Sequence, residues 1–338
     1  MPKRIGIVGG SGYVGSSIAR SLSQEFNVTV LDVKPPADRN FRFGFRQCDV
    51  RDYESVHSAL DGIDLVVHTA IIQIPLINEQ KKLGYEVNVI GTQNVCRAVE
   101  ESACIKGMIL AGTWHTIGER GIVGVVDEEF GLRPDKVEER AVKYALSKMA
   151  QESIVRLHDE MSEKIYGIIR MGTVLGEEMP KGTAANIFIE KGMKGEPITP
   201  FKHSMYRPML YVDINDICKA YSVYASKILS GECEQNGNSL THIVNVYYPK
   251  PMTILRLAES VRDAISKCSR GKVVPQIEIL ESEQPTLFAK EDADEMKVDI
   301  TKAREYLGLT RLMSPEESIK HLVRSRFDRI RENAERKC

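Results

Sequence analysis

With 338 residues, 42% of them hydrophobic, the chain is long enough to bury one large core or two smaller ones. Its 46 Lys and Arg against 47 Asp and Glu leave a net charge of −1, which excludes a chain-wide basic footprint for nucleic acid or a membrane surface. Cys48, Cys96, Cys104, Cys218, Cys233, Cys268 and Cys338 are scattered, odd in number and without C-x-x-C spacing, so they read as reduced thiols rather than disulfides or metal ligands. No apolar run reaches transmembrane length and none resembles a leader, so the expectation is a soluble, cytoplasmic protein.

The first apolar run, Ile5-Gly6-Ile7-Val8, reads as a buried strand, and the stretch carrying Val14, Ile18, Ala19 and Leu22 as an amphipathic helix. Between them lies Gly9-Gly10-Ser11-Gly12-Tyr13-Val14-Gly15. A strand, a glycine turn and a helix N-terminus form a cradle for a pyrophosphate. The bland alternative is a tight turn with no ligand. A second strand, Val28 to Leu31, ends in Asp32, where a ribose-binding carboxylate belongs. Such a carboxylate accepts from both adenosine-ribose hydroxyls and repels a 2′-phosphate, which favours NAD over NADP; nearby Lys34 and Arg39 argue the other way.

After Pro35-Pro36, a strand-like piece ends at Cys48-Asp49-Val50, and a helix is expected from Asp52 to Leu60. Leu65-Val66-Val67-His68 reads as a strand, Tyr85 to Ser102 as a helix, and Met108-Ile109-Leu110 as the next strand. A polar loop then leads to a helix over Glu138 to Met161 and a strand over Ile165 to Met171. Alternating, nearly all-apolar strands and helices predict a doubly wound parallel α/β sheet covered on both faces. From Gly172 the rhythm changes: helices are expected at Ala185 to Lys194 and Asp216 to Leu229, a strand or turn at Tyr211 to Ile214, and a strand at Ile243 to Val246. The charged tail from Glu316 to Lys337 reads as a helix with a solvated outer face.

Tyr144 and Lys148, four residues apart on a helix, share a face. A phenol with an ordinary pKa of about 10 is a poor base, and a nearby ammonium favours its phenolate. The pair therefore suits proton exchange with a substrate oxygen during hydride transfer. Here the chain resembles the extended branch of the short-chain dehydrogenase/reductase superfamily, the NAD-dependent epimerase/dehydratase-like family, over nearly its whole length. Gly9, Gly12 and Gly15 match G-x-x-G-x-x-G; Cys48-Asp49-Val50-Arg51-Asp52 is similar to its adenine-side G-D-v-r-D, with cysteine replacing glycine. His68-Thr69-Ala70, Val87-Asn88-Val89-Ile90-Gly91-Thr92, and the span from Val298-Asp299 to Leu307-Gly308 match further motifs in order.

The resemblance implies that Gly9, Ser11, Gly12, Tyr13, Val14, Gly15, Asp32, Asp49, Val50, Thr69, Ala70, Asn88, Tyr144, Lys148 and Met171 bind NAD. It also implies a Ser or Thr on the strand before the tyrosine, which falls on Thr113 when counted back from Gly118. Thr113, Tyr144 and Lys148 are thus the candidate catalytic set. Trp114 and His115 stand where dehydratases of the family carry an acidic pair and its decarboxylases a glutamate, which argues against both reactions. His115 is either a replacement acid/base or a plain loop histidine. Candidate substrate contacts are Thr113, His115, Thr173, Asn186 and Arg207, although Arg207 falls about two residues before the family's diphosphate arginine and precedes a proline. Val67-His68-Thr69-Ala70-Ile71-Ile72 and Gly91-Thr92-Gln93 also resemble the 3β-hydroxysteroid dehydrogenase/isomerase branch; the apolar loop Ile71, Ile72, Ile74, Pro75, Leu76 and Ile77 is read first as helix-packing surface, and otherwise as a greasy pocket wall.

These readings combine into an NAD-dependent oxidoreductase or epimerase acting at a carbinol carbon of a small-molecule substrate, a nucleotide-sugar or related sugar. The alternatives are a dehydrogenase or reductase of an apolar hydroxy or keto compound, and a non-catalytic NAD sensor. Residues 1–175, with 205–247 returning, are expected to form the NAD-binding Rossmann unit, and 176–204 with 248–338 a smaller mixed α/β substrate subdomain. Resemblance alone predicts a homodimer that pairs the helices at Tyr85 to Ser102 and Glu138 to Met161.

Overall fold

The computed structural model describes residues 2–37 and 43–335; Arg39, Lys337 and Cys338 of the sequence reading lie outside them. Seven apolar runs hydrogen-bond into one sheet: β1 (Arg4–Val8), β2 (Asn27–Asp32), β3 (Gly44–Gln47), β4 (Leu65–His68), β5 (Gly107–Thr113), β6 (Ile165–Met171) and β7 (Ile243–Val246). Every pairing is parallel, in the order β7-β6-β5-β4-β1-β2-β3. Parallel neighbours require crossovers, and here helices supply them. The principal helices are α1 (Tyr13–Leu22), α2 (Tyr53–Ala59), α3 (Gly91–Glu101), α4 (Val142–Met161), α5 (Ala184–Met193), α6 (Ile214–Ser230), α7 (Ile254–Cys268) and α8 (Pro315–Glu335).

Strand side chains alternate between two buried layers. Leu65, Val67, Ile109 and Ala111 join one, with α1 and α6; Val66, Met108 and Leu110 join the other, with α2 and α3. Burial on both faces is why β5 and β6 lack the polar alternation of a half-exposed strand. The chain runs outward from β1 to β2 and β3, then returns to β4 on β1's other side. That reversal opens a crevice beyond the carboxyl ends of β1 and β4.

Several elements depart from the sequence reading. Expected from Glu138, α4 begins at Val142 after a 3-10 turn, because Glu138 is drawn into contacts with Arg140 and Arg207 instead. The helix expected over Tyr85 to Ser102 widens to a π turn at Glu86–Ile90 before α3 starts at Gly91, where a side chain would stand 2.6 Å from Val50. α6 begins two residues early because the Asp213 carboxylate caps it by accepting from the Asn215 N–H at 2.9 Å. The reading passed over α7 altogether, although Leu257, Ala258, Val261, Ala264 and Ile265 sit at helical spacing and are buried, with Thr253 as N-cap. Nor is the tail purely a solvated face: Ile319, Leu322 and Val323 of α8 are buried against the rest, with α8 packed on α7.

Beyond Gly172, Thr173–Leu175 pairs in parallel with Tyr211–Asp213, and Pro208–Met209 pairs antiparallel with Met252–Thr253. These short pairings tie α5, α7 and α8 to the sheet's carboxyl edge. On the other side, α4 is locked by Glu152, whose carboxylate takes Nη2 and Nε of Arg170 on β6 at 2.6 and 3.1 Å with both side chains 1% exposed. Glu152→Ala strands that guanidinium and is expected to cost about 3–5 kcal/mol, read as a lower urea midpoint; a midpoint unchanged from wild type would contradict this role.

Candidate active site

The crevice is a cleft of about 730 Å³ lined by Gly9, Ser11, Gly12, Tyr13, Val14, Gly15, Asp32, Asp49, Val50, Thr69, Ala70, Thr113, His115, Tyr144, Met171 and Thr173, among others. Asn88, Lys148, Asn186 and Arg207 lie outside its lining. At its floor the backbone leaves no room for side chains. Gly9 has φ +79°, and a Cβ there would lie 2.4 Å from the Ala70 nitrogen; one at Gly15 would lie 2.5 Å from the Gly9 carbonyl and 2.7 Å from Thr69 Oγ1. Gly12 caps α1 with no side-chain bond, which leaves the helix's first N–H groups for an anion.

Carboxylates border the far end of this floor. Asp32 Oδ2 accepts from the Ser11 N–H at 3.0 Å, fixing the carboxylate at the rim. Arg51, a cleft-lining cation, is held by Asp49 with Nη2 to Oδ2 at 2.6 Å, and that bond keeps the Asp49 carboxyl below its ordinary range. A glycine floor, open helix N–H groups and a fixed carboxylate together fit an adenosine-bearing pyrophosphate.

At the other end, Thr113 closes β5 and Tyr144 stands on the first turn of α4. Burial pushes the Tyr144 phenol up to about 12, while a hydrogen bond with Thr113 pulls against that shift. Lys148, one turn further on, is buried and donates from Nζ to the Ala111 carbonyl at 2.7 Å. Burial lowers its pKa to about 7. The same dry environment therefore opposes a lone phenolate and a lone ammonium.

Asn88 sits behind this pair. It accepts from the Ile72 N–H at 2.7 Å, and donates to the Ile72 carbonyl and to Ser147 Oγ at 3.1 and 2.9 Å. It thus pins the loop after β4 against α4. His68, fully buried with Nε2 at 3.0 Å from Thr92 Oγ1, is a core histidine whose imidazole burial pulls down to about 3.

Ile71, Ile72 and Ile74 line the cleft, whereas Ile77 packs on Gly84, so only the end of that apolar loop is helix-packing surface. His115 stacks on Trp114 and meets Tyr144 edge-on with centroids 5.9 Å apart. Arg207 donates from Nη1 to Glu138 Oε2 at 2.6 Å. Asn186 accepts from Arg326 Nη2 at 2.6 Å beside a second cavity, between α5 and α8. Glu119, Glu138 and Arg140 were missed by the sequence reading. Glu119 stands four residues from His115 and Glu138 two from Arg140, a local spacing that could have pointed to them, whereas Arg207 reaches Glu138 across 69 residues. Among the described residues, no helix is long and apolar enough to cross a membrane, and no group of His, Cys, Asp or Glu could hold a metal ion.

A family model described as NAD dependent epimerase/dehydratase family matches residues 5–238. A Methanocaldococcus jannaschii protein provisionally named UDP-glucose 4-epimerase is 28% identical over 225 residues, which span 63% of this chain and 70% of that protein. The bovine sterol-4-alpha-carboxylate 3-dehydrogenase, decarboxylating, is 28% identical over 57% of this chain, and the match spans about half (52%) of its own length. Among solved structures, the Thermus thermophilus UDP-glucose 4-epimerase in complex with NAD superposes with a TM-score of 0.74 at 23% identity, covering 95% of this chain and 97% of that one. At that identity the likeness is one of fold.

Lys148 yields a pH test. Its folded pKa, about 7, lies below the unfolded value near 10.4, so the folded state holds fewer protons between them and stability rises with pH across that window. Lys148→Met removes this dependence. The wild type should gain on the variant by on the order of 4 kcal/mol between pH 6 and pH 10 in denaturant titrations. Parallel pH profiles would show that Lys148 is not held this way.

Proposed function

The chain belongs to the NAD dependent epimerase/dehydratase family, and from that premise we propose that Thr113, Tyr144 and Lys148 carry the proton transfer accompanying hydride transfer at a carbinol carbon of a nucleotide-sugar. Its cofactor is NAD, which when bound supplies the hydride acceptor and donor. The observation that carries the reading is the meeting of a glycine cradle, Thr113 and Tyr144 in one cleft, with Lys148 buried one turn further along α4. Gly9, Ser11, Gly12, Tyr13, Val14 and Gly15 would hold the pyrophosphate, and Asp32 the adenosine ribose. Asp49, Val50, Thr69, Ala70 and Met171 would line the remainder, with Asn88 acting from behind through the Ile72 loop.

Tyr144 takes the proton from the carbinol oxygen as the carbon is oxidised, and Thr113 orients that oxygen. Lys148, buried one helical turn further along α4, would compensate the charge that proton transfer leaves on the phenol. An epimerase uses the same groups twice: Tyr144 returns its proton once the ketone has turned its other face.

The substrate side follows from residues 176–204 and 248–338, which we assign to substrate binding, with 1–175 and 205–247 assigned to NAD. Thr173 and His115 face the cleft, and Asn186 and Arg207 stand on the substrate side with partners already bound. The UDP-glucose 4-epimerase relative supports a nucleotide-sugar. Ile71, Ile72 and Ile74 on the cleft wall favour a second reading, an apolar hydroxy or keto compound. The six described cysteines are free, which supports a reducing, cytoplasmic setting. Leu146, Leu157 and Met161 are exposed along α4, with Tyr85 and Ile90 exposed ahead of α3, which supports a homodimer through these helices.

Tyr144→Phe should lower kcat about 1000-fold with the Kd for NAD unchanged; retained turnover would sink the assignment. A thermal-shift panel of UDP-, GDP- and dTDP-sugars separates the two substrate readings, since a ligand at 100 times its Kd stabilises by about 2.7 kcal/mol. A flat panel favours the apolar compound. For the dimer, Leu157→Glu should shift sedimentation from dimer to monomer, and a wild type that sediments as a monomer removes the proposal.

A further inference from the structure

Helix α5 turns one face to the core and another to α8. Phe188 and Ile189 are buried, and a Cβ at Gly192 would stand 2.6 Å from Ile265 of α7. Asn186, Glu190 and Met193, at helical spacing, instead line a second cavity, of about 680 Å³. Across it stand Arg326, Arg329 and Ile330 of α8, one turn past the buried Leu322 and Val323. The segment from Glu177 to Lys181 forms the third wall. Among the described residues only Pro180 lines both this cavity and the cleft, and no residue of α8 lines the cleft. The volume is that of a small-molecule site.

The charges around this cavity are unevenly matched. Arg326 is half-buried, and burial draws its guanidinium below its ordinary range. A guanidinium nevertheless keeps its charge in a protein and offers several N–H donors. Here Nη2 donates to Asn186 Oδ1 at 2.6 Å, and among the described residues no carboxylate lies within ion-pair distance of Arg326. Arg170 and Arg207, by contrast, each meet a carboxylate at 2.6 Å. Asn186 is 3% exposed and donates from Nδ2 to Glu190 Oε1 at 3.4 Å, so the amide that orients the arginine is itself fixed. Arg329 is paired with Glu177, and Glu178 with Arg20 outside the cavity. Lys181 and Lys194 are exposed and have no ion pair among the described residues. Arg326 and the two lysines are thus unpaired cations facing a single unpaired carboxylate, Glu190. Met179, Pro180, Met193 and Ile330 add an apolar lining, and the methionines adapt readily to a ligand's shape.

We infer that the cavity between α5 and α8 is a second ligand site, taking a small organic phosphate monoester with its phosphate on Arg326, Lys181 and Lys194 and its apolar body on Met179, Met193 and Ile330. A monoester carries about two negative charges at neutral pH, which matches the excess of cations over carboxylate. The guanidinium fork suits two phosphate oxygens, and the lysines add point charges. The bound anion offsets the desolvation of Arg326, which the protein itself leaves uncompensated. Glu190 opposes the anion and limits its affinity. The site stands apart from the cleft and needs nothing from the hydride-transfer reading.

The test is calorimetric titration of the full-length protein with phenyl phosphate and, separately, inorganic phosphate, at saturating NAD so that the glycine cradle is filled. Wild type should bind phenyl phosphate at one site, at least about tenfold tighter than inorganic phosphate, because the ring buries apolar surface. Arg326→Gln should weaken phenyl phosphate about 10- to 100-fold, the loss of hydrogen bonds to a charged group. Glu190→Gln should tighten it about threefold. Neither residue lines the cleft, so the Kd for NAD should stay unchanged in both variants. Lys194 is exposed, so Lys194→Gln, expected to weaken phenyl phosphate about threefold, keeps the test open should Arg326→Gln fail to fold. No saturable binding of phenyl phosphate, an affinity equal to that of inorganic phosphate, or an affinity that Arg326→Gln and Lys194→Gln leave unchanged overturns the inference.

Discussion

At the end of β1 the glycine turn, the first turn of α1 and the end of β4 pack backbone against backbone, and no side chain fits between them at Gly9 or Gly15. This close approach fixes the rest of the site. It brings the open N–H groups of α1 to the crevice floor, and it sets β4 next to β1 so that the strand order reverses there. Thr69 strengthens the joint by donating to the Val8 carbonyl at 2.9 Å. A Cβ at Gly9 or Gly15 would stand within 2.5 Å of backbone, so a close backbone contact of the fold and its anion cradle are the same feature.

The chemistry depends on α4 holding its angle to the sheet. Three buried polar contacts fix that helix: Asn88 on Ser147, Lys148 on the Ala111 carbonyl, and Arg170 on Glu152. Each links α4 to a different element, so the place of Tyr144 is set by contacts made elsewhere along its helix. Burial has a cost here, since it raises the phenol and lowers the ammonium.

On the substrate side, polar groups meet each other before they meet a ligand. Arg207 is occupied by Glu138, Asn186 by Arg326, and Glu119 by His115 and Arg140. Arg207, Glu138, Asn186 and Glu119 lie outside the cleft lining, whose wall carries Ile71, Ile72 and Ile74. A mixed wall of this kind is compatible with relatives whose names include both a sugar-nucleotide epimerase and a sterol dehydrogenase.

The amino-acid sequence by itself determined the sheet, the cradle and the Tyr144–Lys148 pair, because each follows from local spacing: apolar runs, glycines at a turn, and two residues one helical turn apart. Helix α7 is written there as well, in the helical spacing of Leu257, Val261, Ala264 and Ile265. What only the tertiary structure decided was which side chains are already partnered. Asn186 meets Arg326 across 140 residues, and Arg207 meets Glu138 across 69. It also turned the Ile71 loop toward the cleft and buried one stripe of the charged tail. Pairings between distant segments depend on how loops close over the sheet, and no local period encodes that closure.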